Sequence, residues 1–355
     1  MPNMRNIPQI QLLRALAAIS VSMCHFDSVA NMLTGHANDR QTLYCLASGV
    51  DLFFVISGFI MVYSSEALFA VHKGPLVFLV KRLARIVPLY WLTTVMAVFL
   101  MDLPVNWHKC VESFLFIPYW GQPGAIFPLH GVGWTLNFEM FFYMLFAVAL
   151  CWARRIAVPS LCAVLGCIVF LGHQLGPKAA PLIFWSDPII LEFAFGMIIA
   201  LLHIQRIRLA GIVRWLLIPV ALLAIWLSSP HMPPSGYRAV TWGIPAAMIV
   251  VSVVLTGQMA PTGRIIWLMR PIGDASYSIY LIHPLMGAAV FRLWPLGLNH
   301  YPVLLVLTVA MIATIAISVA SFQFFEKKTT RAIQQLCNVS LPRGEISQEV
   351  SALTG

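Results

Sequence analysis

The chain of 355 residues is 60% hydrophobic and only 10% charged, with a formal net charge of +9 and a mean hydropathy of +0.84. Soluble domains contain about 25% charged residues, so this composition excludes a soluble enzyme or binding domain. It predicts an all-α polytopic membrane protein. The seven cysteines lack the spacing of a metal site, and we expect no metal.

Ten apolar stretches predict transmembrane helices, at 9–26, 47–64, 84–101, 132–152, 156–172, 188–204, 212–228, 239–256, 274–291 and 302–325. With a cytoplasmic N-terminus, 17 of the 22 lysines and arginines lie in or beside the cytoplasmic side. The positive-inside rule explains this asymmetry, so both termini are predicted to be cytoplasmic and nucleic-acid binding is not expected. Residues 1–337 are expected to form one transmembrane domain, and residues 338–355 a polar, disordered tail.

The first apolar stretch contains two ionisable residues. Arg14 lies near one end of QIQLLRALAAISVSMCHF and His25 lies near the other. Eleven helical residues span about 16.5 Å and bring the two side chains to within about 20° of one helix face. A charged residue inside a membrane span is costly and normally faces a polar interior. The spacing therefore predicts that this face lines a water-accessible chamber.

The second and third stretches add polar groups at opposite ends of that chamber. Asp51 lies near the outer end of the second stretch, and Ser57 and Gly58 are interpreted as small residues for close helix packing. Arg82 and Arg85 share a helix face at the cytoplasmic end of the third stretch. They form either an ordinary basic flank or a clamp for an anion, because paired guanidinium groups fit phosphate oxygens.

Three later stretches contain further candidate residues. Glu139 lies about two turns below the outer end of the fourth stretch, between Thr135 and Tyr143 on the same helix face. A lone Glu in an apolar stretch predicts a functional site. Glu192 lies close enough to the outer boundary for a solvated position. His283, near mid-depth in the ninth stretch, is either a hydrogen-bonded core residue or a site residue.

Depth sorts these side chains into two groups. His25, Asp51 and Glu139 fall in the outer half of the membrane, whereas the arginines and Glu326 fall in the inner half. An imidazole titrates near neutrality, so His25 is the candidate base, oriented by Asp51 or, as second choice, by Glu139. The sequence thus predicts a chamber with a basic inner mouth and an acid–base outer end.

Five motifs, in this order, resemble those of the membrane acyltransferase family three. They read LRALAAISVSMCHF, GVDLFFVISGFIM, FLVKRLARIVPLYW, GVGWTLNFEMFFY and SYSIYLIHPL, and the resemblance covers residues 7–330. The exopolysaccharide O-acetyltransferases are the subtype that the chain resembles. The resemblance implies ten transmembrane helices and transfer of an acetyl group from cytoplasmic acetyl-CoA to a sugar hydroxyl. The implied acceptor is a surface polysaccharide or its lipid-linked precursor.

The resemblance also implies roles for individual residues. The family's essential first-helix Arg and His match Arg14 and His25, and its Arg-x-x-Arg matches Arg82 and Arg85. Its Trp-Ser-Leu-x-x-Glu matches residues 134–139, with Thr135 in place of Ser. Its Tyr-Ser-x-Tyr-x-x-His matches residues 277–283, and its late Glu matches Glu326.

The residues and the resemblance together give one hypothesis, in which the candidate catalytic groups are His25, Asp51 and Glu139. The candidate ligands of the acetyl-CoA phosphates are Arg14, Arg82 and Arg85, and those of the acceptor are Trp134, Tyr143 and His283. The expected location is the bacterial inner membrane, with the lipid bilayer and polysaccharide biosynthesis or export machinery as partners. The alternative is a secondary transporter that moves a small anion with a buried His/Arg/Glu proton relay, although no inverted repeat supports it.

Overall fold

The computed structural model of the protein describes residues 7–35, 43–103, 106–122, 124–229, 233, 235–256 and 264–337. The predicted tail, 338–355, lies outside these residues. The helices described are α1 Pro8–Thr34, α2 Gly49–Ser64, α3 Gly74–Met101, α4 Trp107–Phe114, α5 Trp134–Ala149, α6 Arg154–Leu175, α7 Ala180–Trp185, α8 Leu191–Ile204, α9 Gly211–Leu227, α10 Ser235–Arg238, α11 Ile244–Val254, α12 Arg264–Asp274, α13 Ser276–Leu293, α14 Val303–Ser321 and α15 Lys327–Leu336. Two π-helical turns, Ala239–Gly243 and Phe322–Glu326, continue α10 into α11 and α14 into α15.

The all-α polytopic class predicted from the sequence is confirmed. Eight helices in the described part are long and apolar enough to cross a membrane: Pro8–Thr34, Tyr44–Ser64, Gly74–Met101, Gly131–Ala149, Arg154–Leu175, Gly236–Val254, Ser276–Leu296 and Val303–Leu336. The predicted spans at 188–204 and 212–228 correspond to the shorter apolar helices Pro188–Ile204 and Gly211–Leu227. The only strands described are β1 Trp120–Gln122 and β2 Ala125–Ile126, which form an antiparallel hairpin on the outer segment.

Close packing of α2 on α8 forms the centre of the bundle. A Cβ atom at Gly58 would overlap the carbonyl oxygen of Phe193, and one at Gly196 would overlap that of Val55. Because both glycines lack this atom, the two backbones approach closely, as small residues allow in membrane helices. Phe142 of α5 then stacks on Phe193 with ring centroids 4.3 Å apart. The packing role predicted for Gly58 agrees with this contact.

Polar contacts also fix α13 and α15 against α3. Pro88 has no N–H, so the carbonyl of Ala84 loses its usual helical donor. Thr330 of α15 donates its hydroxyl to that carbonyl at 3.2 Å, and Tyr277 of α13 donates to the carbonyl of Ile86 at 2.7 Å. Two side chains therefore satisfy carbonyls around the proline and set the position of α13 beside the inner half of α3.

One predicted helix start is wrong. The residues at 273–276 predict a helix start capped by Asp274, but Asp274 ends α12, and α13 begins at Ser276 without a side-chain cap. The hydroxyl of Ser276 is instead engaged by Arg14, which donates its Nε–H at 3.1 Å. The Ser276 hydroxyl, at the start of α13, thus binds Arg14 of another helix and caps no helix terminus.

Candidate active site

His25 and His283 form a pair between α1 and α13. Nδ1 of His25 lies 3.2 Å from Nε2 of His283, and the ring centroids are 4.8 Å apart. Arg14 meets Ser276 nearer the start of both helices, so α1 and α13 run in the same direction. His283 is fully buried, whereas His25 is exposed at the surface of the protein. The sequence placed both residues in the membrane but did not foresee that they touch.

Backbone carbonyls assign the protons of this pair. Nδ1 of His25 lies 3.0 Å from the carbonyl oxygen of Val21, and Nδ1 of His283 lies 3.1 Å from that of Ile279. A carbonyl only accepts, so both Nδ1 atoms must be donors. In the neutral ring Nε2 of His283 then has a lone pair, which accepts from the same Nδ1–H of His25. This network assigns the free lone pair of His25 to Nε2, the arrangement that a base requires.

A cavity of about 110 Å³ runs between α1, α2, α3, α5 and α13. Three guanidinium groups line its inner part, those of Arg14, Arg82 and Arg85. Thr135 and Tyr280 line its outer part, where the Thr135 hydroxyl donates to the Tyr280 hydroxyl oxygen at 3.1 Å. The ring of Tyr280 lies 5.9 Å from that of His283, so the outer part of the cavity adjoins the histidine pair.

The arginines are held by neutral or acidic partners that leave part of each guanidinium group free. Arg82 donates Nη2–H to the Ser64 hydroxyl at 2.9 Å, and Nε of Arg85 lies 3.5 Å from a carboxylate oxygen of Glu326. Ser278 donates to the other oxygen of Glu326 at 2.9 Å. The sequence predicted the three arginines and Glu326 at one depth. The role of Ser278 in fixing Glu326 was not predicted, because a serine in a membrane span usually serves close helix packing.

Glu139 lies in the wall of the cavity, away from His25. One carboxylate oxygen accepts from the Ser57 hydroxyl at 3.1 Å, and the other accepts from the Tyr143 hydroxyl at 3.2 Å. Arg82 and Arg85 line the same cavity, so their positive charges partly compensate the negative charge of this carboxylate. The structure therefore places Glu139 and Tyr143 between the arginines and the outer part of the cavity.

Asp51 does not contact His25. Its carboxylate accepts two hydrogen bonds from Arg238, from Nε at 3.0 Å and from Nη2 at 2.9 Å, and both side chains are buried. Arg238 comes from the end of α10, and its Nη2 also donates to the carbonyl of Ala47 at 3.4 Å. In place of the orienting contact expected between Asp51 and His25, Asp51 forms an ion pair with Arg238 of α10.

Glu192 corrects another expectation. It was predicted to be solvated, yet it is fully buried beside the Asp51–Arg238 pair. Neither of its carboxyl oxygens has a hydrogen-bond partner among the described residues, and a Cβ atom at Gly243 would overlap Oε1 of Glu192. The π-helical turn that begins at Ala239 positions that glycine. Two carboxyl groups thus lie near the single charge of Arg238, which forms hydrogen bonds with Asp51 but not with Glu192.

Trp134, predicted to stack on a sugar ring, packs inside the protein. The guanidinium carbon of Arg238 lies 5.6 Å from the centre of its ring, and the rings of Phe54 and Phe138 pack edge to face against it. The cation covers a face of the indole that the prediction left open. Sequence reasoning missed this contact because Trp134 and Arg238 lie far apart in the chain.

His130 connects the outer segment to α13 and was not singled out from the sequence. Its Nε2 lies 2.9 Å from the carbonyl oxygen of Leu281, two residues before His283. The ring is fully buried, and Nδ1 has no hydrogen-bond partner in the described part of the chain. Burial lowers the pKa of His130 to about 4, although the bond to the Leu281 carbonyl acts in the opposite direction. The ring is therefore neutral at physiological pH and donates its single proton to α13.

No group of three or more metal-ligating side chains occurs in the residues that the structure describes. The groups that the structure brings together at the site are a pair of imidazoles beside a cavity lined by guanidinium groups.

Comparison with known proteins identifies relatives over most of the chain. A family model described as an acyltransferase domain matches residues 7–322. The exopolysaccharide production protein ExoZ of Rhizobium meliloti (strain 1021) is 35% identical over 247 residues, which cover 67% of this chain and 75% of ExoZ. The acyltransferase MdmB of Streptomyces mycarofaciens is 26% identical over 315 residues, which cover 79% of each protein. No solved structure matches the chain.

Proposed function

The chain belongs to acyltransferase family three, and on this premise we propose that it transfers an acetyl group from acetyl-CoA to a sugar hydroxyl. The proposed acceptor is a surface or exported polysaccharide or its lipid-linked precursor. The name of ExoZ, an exopolysaccharide production protein, supports this class of acceptor. The proposed location is the bacterial inner membrane, where the cytoplasmic face supplies acetyl-CoA and the outer face meets the growing polymer.

The observation that supports this function best is the position of the His25–His283 pair beside the cavity. The free Nε2 lone pair of His25 can accept a proton, and the neighbouring cavity leads to three guanidinium groups. The donor is a phosphate-rich anion, and guanidinium groups pair with phosphate oxygens in a fixed fork. The residues at the inner part of the cavity therefore fit the nucleotide end of this donor, and those at the outer part fit the thioester end.

The reaction follows from these positions. Nε2 of His25 takes the proton of the acceptor hydroxyl while the hydroxyl oxygen attacks the thioester carbonyl carbon. A C–O bond forms, the C–S bond breaks, and the thiolate that leaves takes the proton back from His25. While His25 is protonated, its Nδ1–H donates to Nε2 of His283, which disperses the positive charge over two rings. His283 thus performs the task that a carboxylate performs in a Ser-His-Asp triad.

The test is transfer of labelled acetyl groups in membranes that contain the intact protein, His25→Ala or the control Met23→Ala. Met23 is exposed on the same helix and does not line the cavity. We expect the intact protein and the control to acetylate the cell's own polysaccharide, and His25→Ala to lose the activity. Mass spectrometry of the polysaccharide identifies the group that is transferred. Full activity of His25→Ala would refute the assignment of His25 as the base. A polysaccharide left unmodified by the intact protein would refute the polysaccharide as acceptor.

A further inference from the structure

A groove of about 370 Å³ lies on the outer segment, between α4, β1 and the start of α7. It is separate from the cavity described above, and its volume is in the range of roughly 300–1,000 Å³ typical of ligand pockets. The side chains that matter for its chemistry are those of Asn106, His108, Lys109, Glu112 and Trp120. By the predicted topology, this segment lies outside the cytoplasm, on the side of the acceptor.

The polar groups of the groove have free hydrogen-bonding capacity. Asn106 uses its Oδ1 to accept from the backbone N–H of Lys109 at 2.8 Å, so its two amide N–H groups are free to donate. Glu112 makes no side-chain hydrogen bond within the described residues, and His108 is exposed. Lys109 donates its Nζ to the carbonyl of Gly121 at 3.4 Å. The formal charges of Lys109 and Glu112 cancel, so the groove is polar without being an anion site.

Trp120 adds an uncovered aromatic surface. Half of its side chain is exposed, and its ring stacks on no other ring in the described part of the protein. An indole is a rigid apolar surface with one N–H donor at its edge, so it packs well on partly apolar, partly polar ligands. The axial C–H groups of a pyranose ring form such an apolar face, and the hydroxyls at its rim need donors and acceptors.

We propose that this groove binds a saccharide unit of the acceptor chain, with Trp120 under the ring and Asn106 and Glu112 at its hydroxyls. This inference rests on the proposed function and adds to it a docking site away from His25. A phosphate ligand would meet the Glu112 carboxylate without a net positive charge to offset it. An apolar peptide or acyl chain would bury Asn106 and Glu112 without partners, which costs free energy. A neutral sugar satisfies both.

Hydrogen bonds hold the groove in a fixed position relative to the histidine pair. The Ser113 hydroxyl of α4 contacts the Tyr119 hydroxyl at 2.9 Å and accepts from the backbone N–H of Leu129 at 3.0 Å. Leu129 is followed by His130, which donates to Leu281 on the helix of His283. A polymer held in the groove is thereby presented to His25 at a raised effective concentration, as a tethered ligand is.

The experiment measures binding and transfer separately on the full-length protein in lipid nanodiscs. The probe is the cell's own surface polysaccharide after mild base has removed its acetyl groups. Calorimetry measures its binding to the intact protein, to Trp120→Ala and to the control Trp107→Ala. Trp107 is 77% exposed on α4 but does not line the groove. We expect Trp120→Ala to weaken binding about tenfold, through the loss of one stacked ring, and Trp107→Ala to leave it unchanged.

Transfer kinetics then separate this inference from the proposed function. We expect Trp120→Ala to raise the KM for the polysaccharide about tenfold without changing the KM for acetyl-CoA, which is the signature of lost acceptor binding. Equal effects of the two Trp variants would mean that both rings anchor the protein in the bilayer interface, and would overturn the groove. Absence of polysaccharide binding to the intact protein would also overturn it. If the polysaccharide binds in a way that depends on Trp120 but no acetyl group is transferred, the saccharide site in the groove is supported and the proposed acetyl transfer is refuted.

Discussion

Nδ1 of His25 lies 3.2 Å from Nε2 of His283, and each ring donates its Nδ1–H towards the carbonyl one turn back on its own helix. The second histidine therefore acts on the first as an acceptor without a negative charge. A buried carboxylate needs a cation beside it, as Asp51 has in Arg238, whereas a neutral imidazole does not. A histidine is therefore the less costly partner for the proposed base.

The His283 partner is tested with two substitutions of different chemistry. His283→Gln retains an oxygen acceptor for the Nδ1–H of His25, whereas His283→Leu removes it. We expect His283→Leu to lower kcat by about 10²–10⁴-fold, the usual contribution of acid–base catalysis, and His283→Gln to recover part of that loss. Steady-state kinetics with both variants at matched thermal stability provide the measurement. Equal losses for the two variants would show that His283 contributes only packing.

The inner arginines are tested with a donor that lacks phosphates. Arg82→Gln and Arg85→Gln should raise the KM for acetyl-CoA about 10- to 100-fold, because each removes a charge-assisted hydrogen bond. The KM for S-acetylpantetheine should barely change. Arg154→Gln is the matched control, since Arg154 pairs with exposed Glu66 outside the cavity. An equal rise for both donors would contradict phosphate binding.

The Asp51–Arg238 pair is tested by breaking it and by removing it. Arg238→Leu leaves Asp51 and Glu192 buried without their cation and should cost about 3–5 kcal/mol of stability. Asp51→Asn combined with Arg238→Gln should recover most of that loss, as read from thermal unfolding in detergent. The double variant should also retain kcat. A loss of kcat as large as that of His25→Ala would instead assign a catalytic role to the Asp51 carboxylate.

The contact of α2 with α8 predicts intolerance of a single methyl group. Gly58→Ala should destabilise the protein by about 1–3 kcal/mol, because the new Cβ atom would overlap the backbone of Phe193. Gly166→Ala is the control, since no atom lies within 4 Å of the Cβ built there. Comparable melting temperatures for the two variants would show that α8 shifts to accommodate the methyl group.

The burial of His130 predicts that the free energy of unfolding falls as the pH is lowered below about 6.5. Its pKa is about 4 in the folded protein and about 6.5 in an unfolded chain, so the unfolded state binds the proton first as the pH falls. Stability should therefore be lost between about pH 6.5 and pH 4, by up to about 3 kcal/mol, and be unaffected above that range. His130→Asn should flatten this pH dependence, whereas substitution of the exposed His72 by Asn should not. Unfolding measured at a series of pH values provides the comparison.

The sequence predicted the fold class because hydrophobicity is a local property of each span. It assigned each polar group a depth from its position within a helix, but the solvated position expected for Glu192 is wrong, since that side chain is buried. It did not predict which neighbour each side chain meets, because that depends on how every helix is rotated in the bundle. Asp51 and His25 were expected to meet at one level, but Asp51 faces Arg238 and His25 faces His283.

The groove of the outer segment was beyond sequence reasoning for a different reason. The stretch from Asn106 to Ile126 is rich in proline, glycine and aromatic residues, and the groove arises where α4, β1 and α7 come together. Such contacts involve residues far apart in the chain, here Trp120 and Pro181. The motifs that resemble the family all lie in the helix bundle, and none reports on this surface.

Hydrogen bonds from Ser113 to Leu129 and from His130 to Leu281 connect the outer segment to α13, so two structurally distinct parts of one polypeptide are held together. In the proposed mechanism, the bundle binds the donor and contains the base, while a short segment outside the bundle binds the polymer. New glycan preferences can therefore arise by exchanging that segment alone, with the chemistry inherited unchanged. If the proposed acetylation is to be redirected to another polysaccharide, residues 106–122 are the segment to exchange, with the membrane-spanning helices left intact.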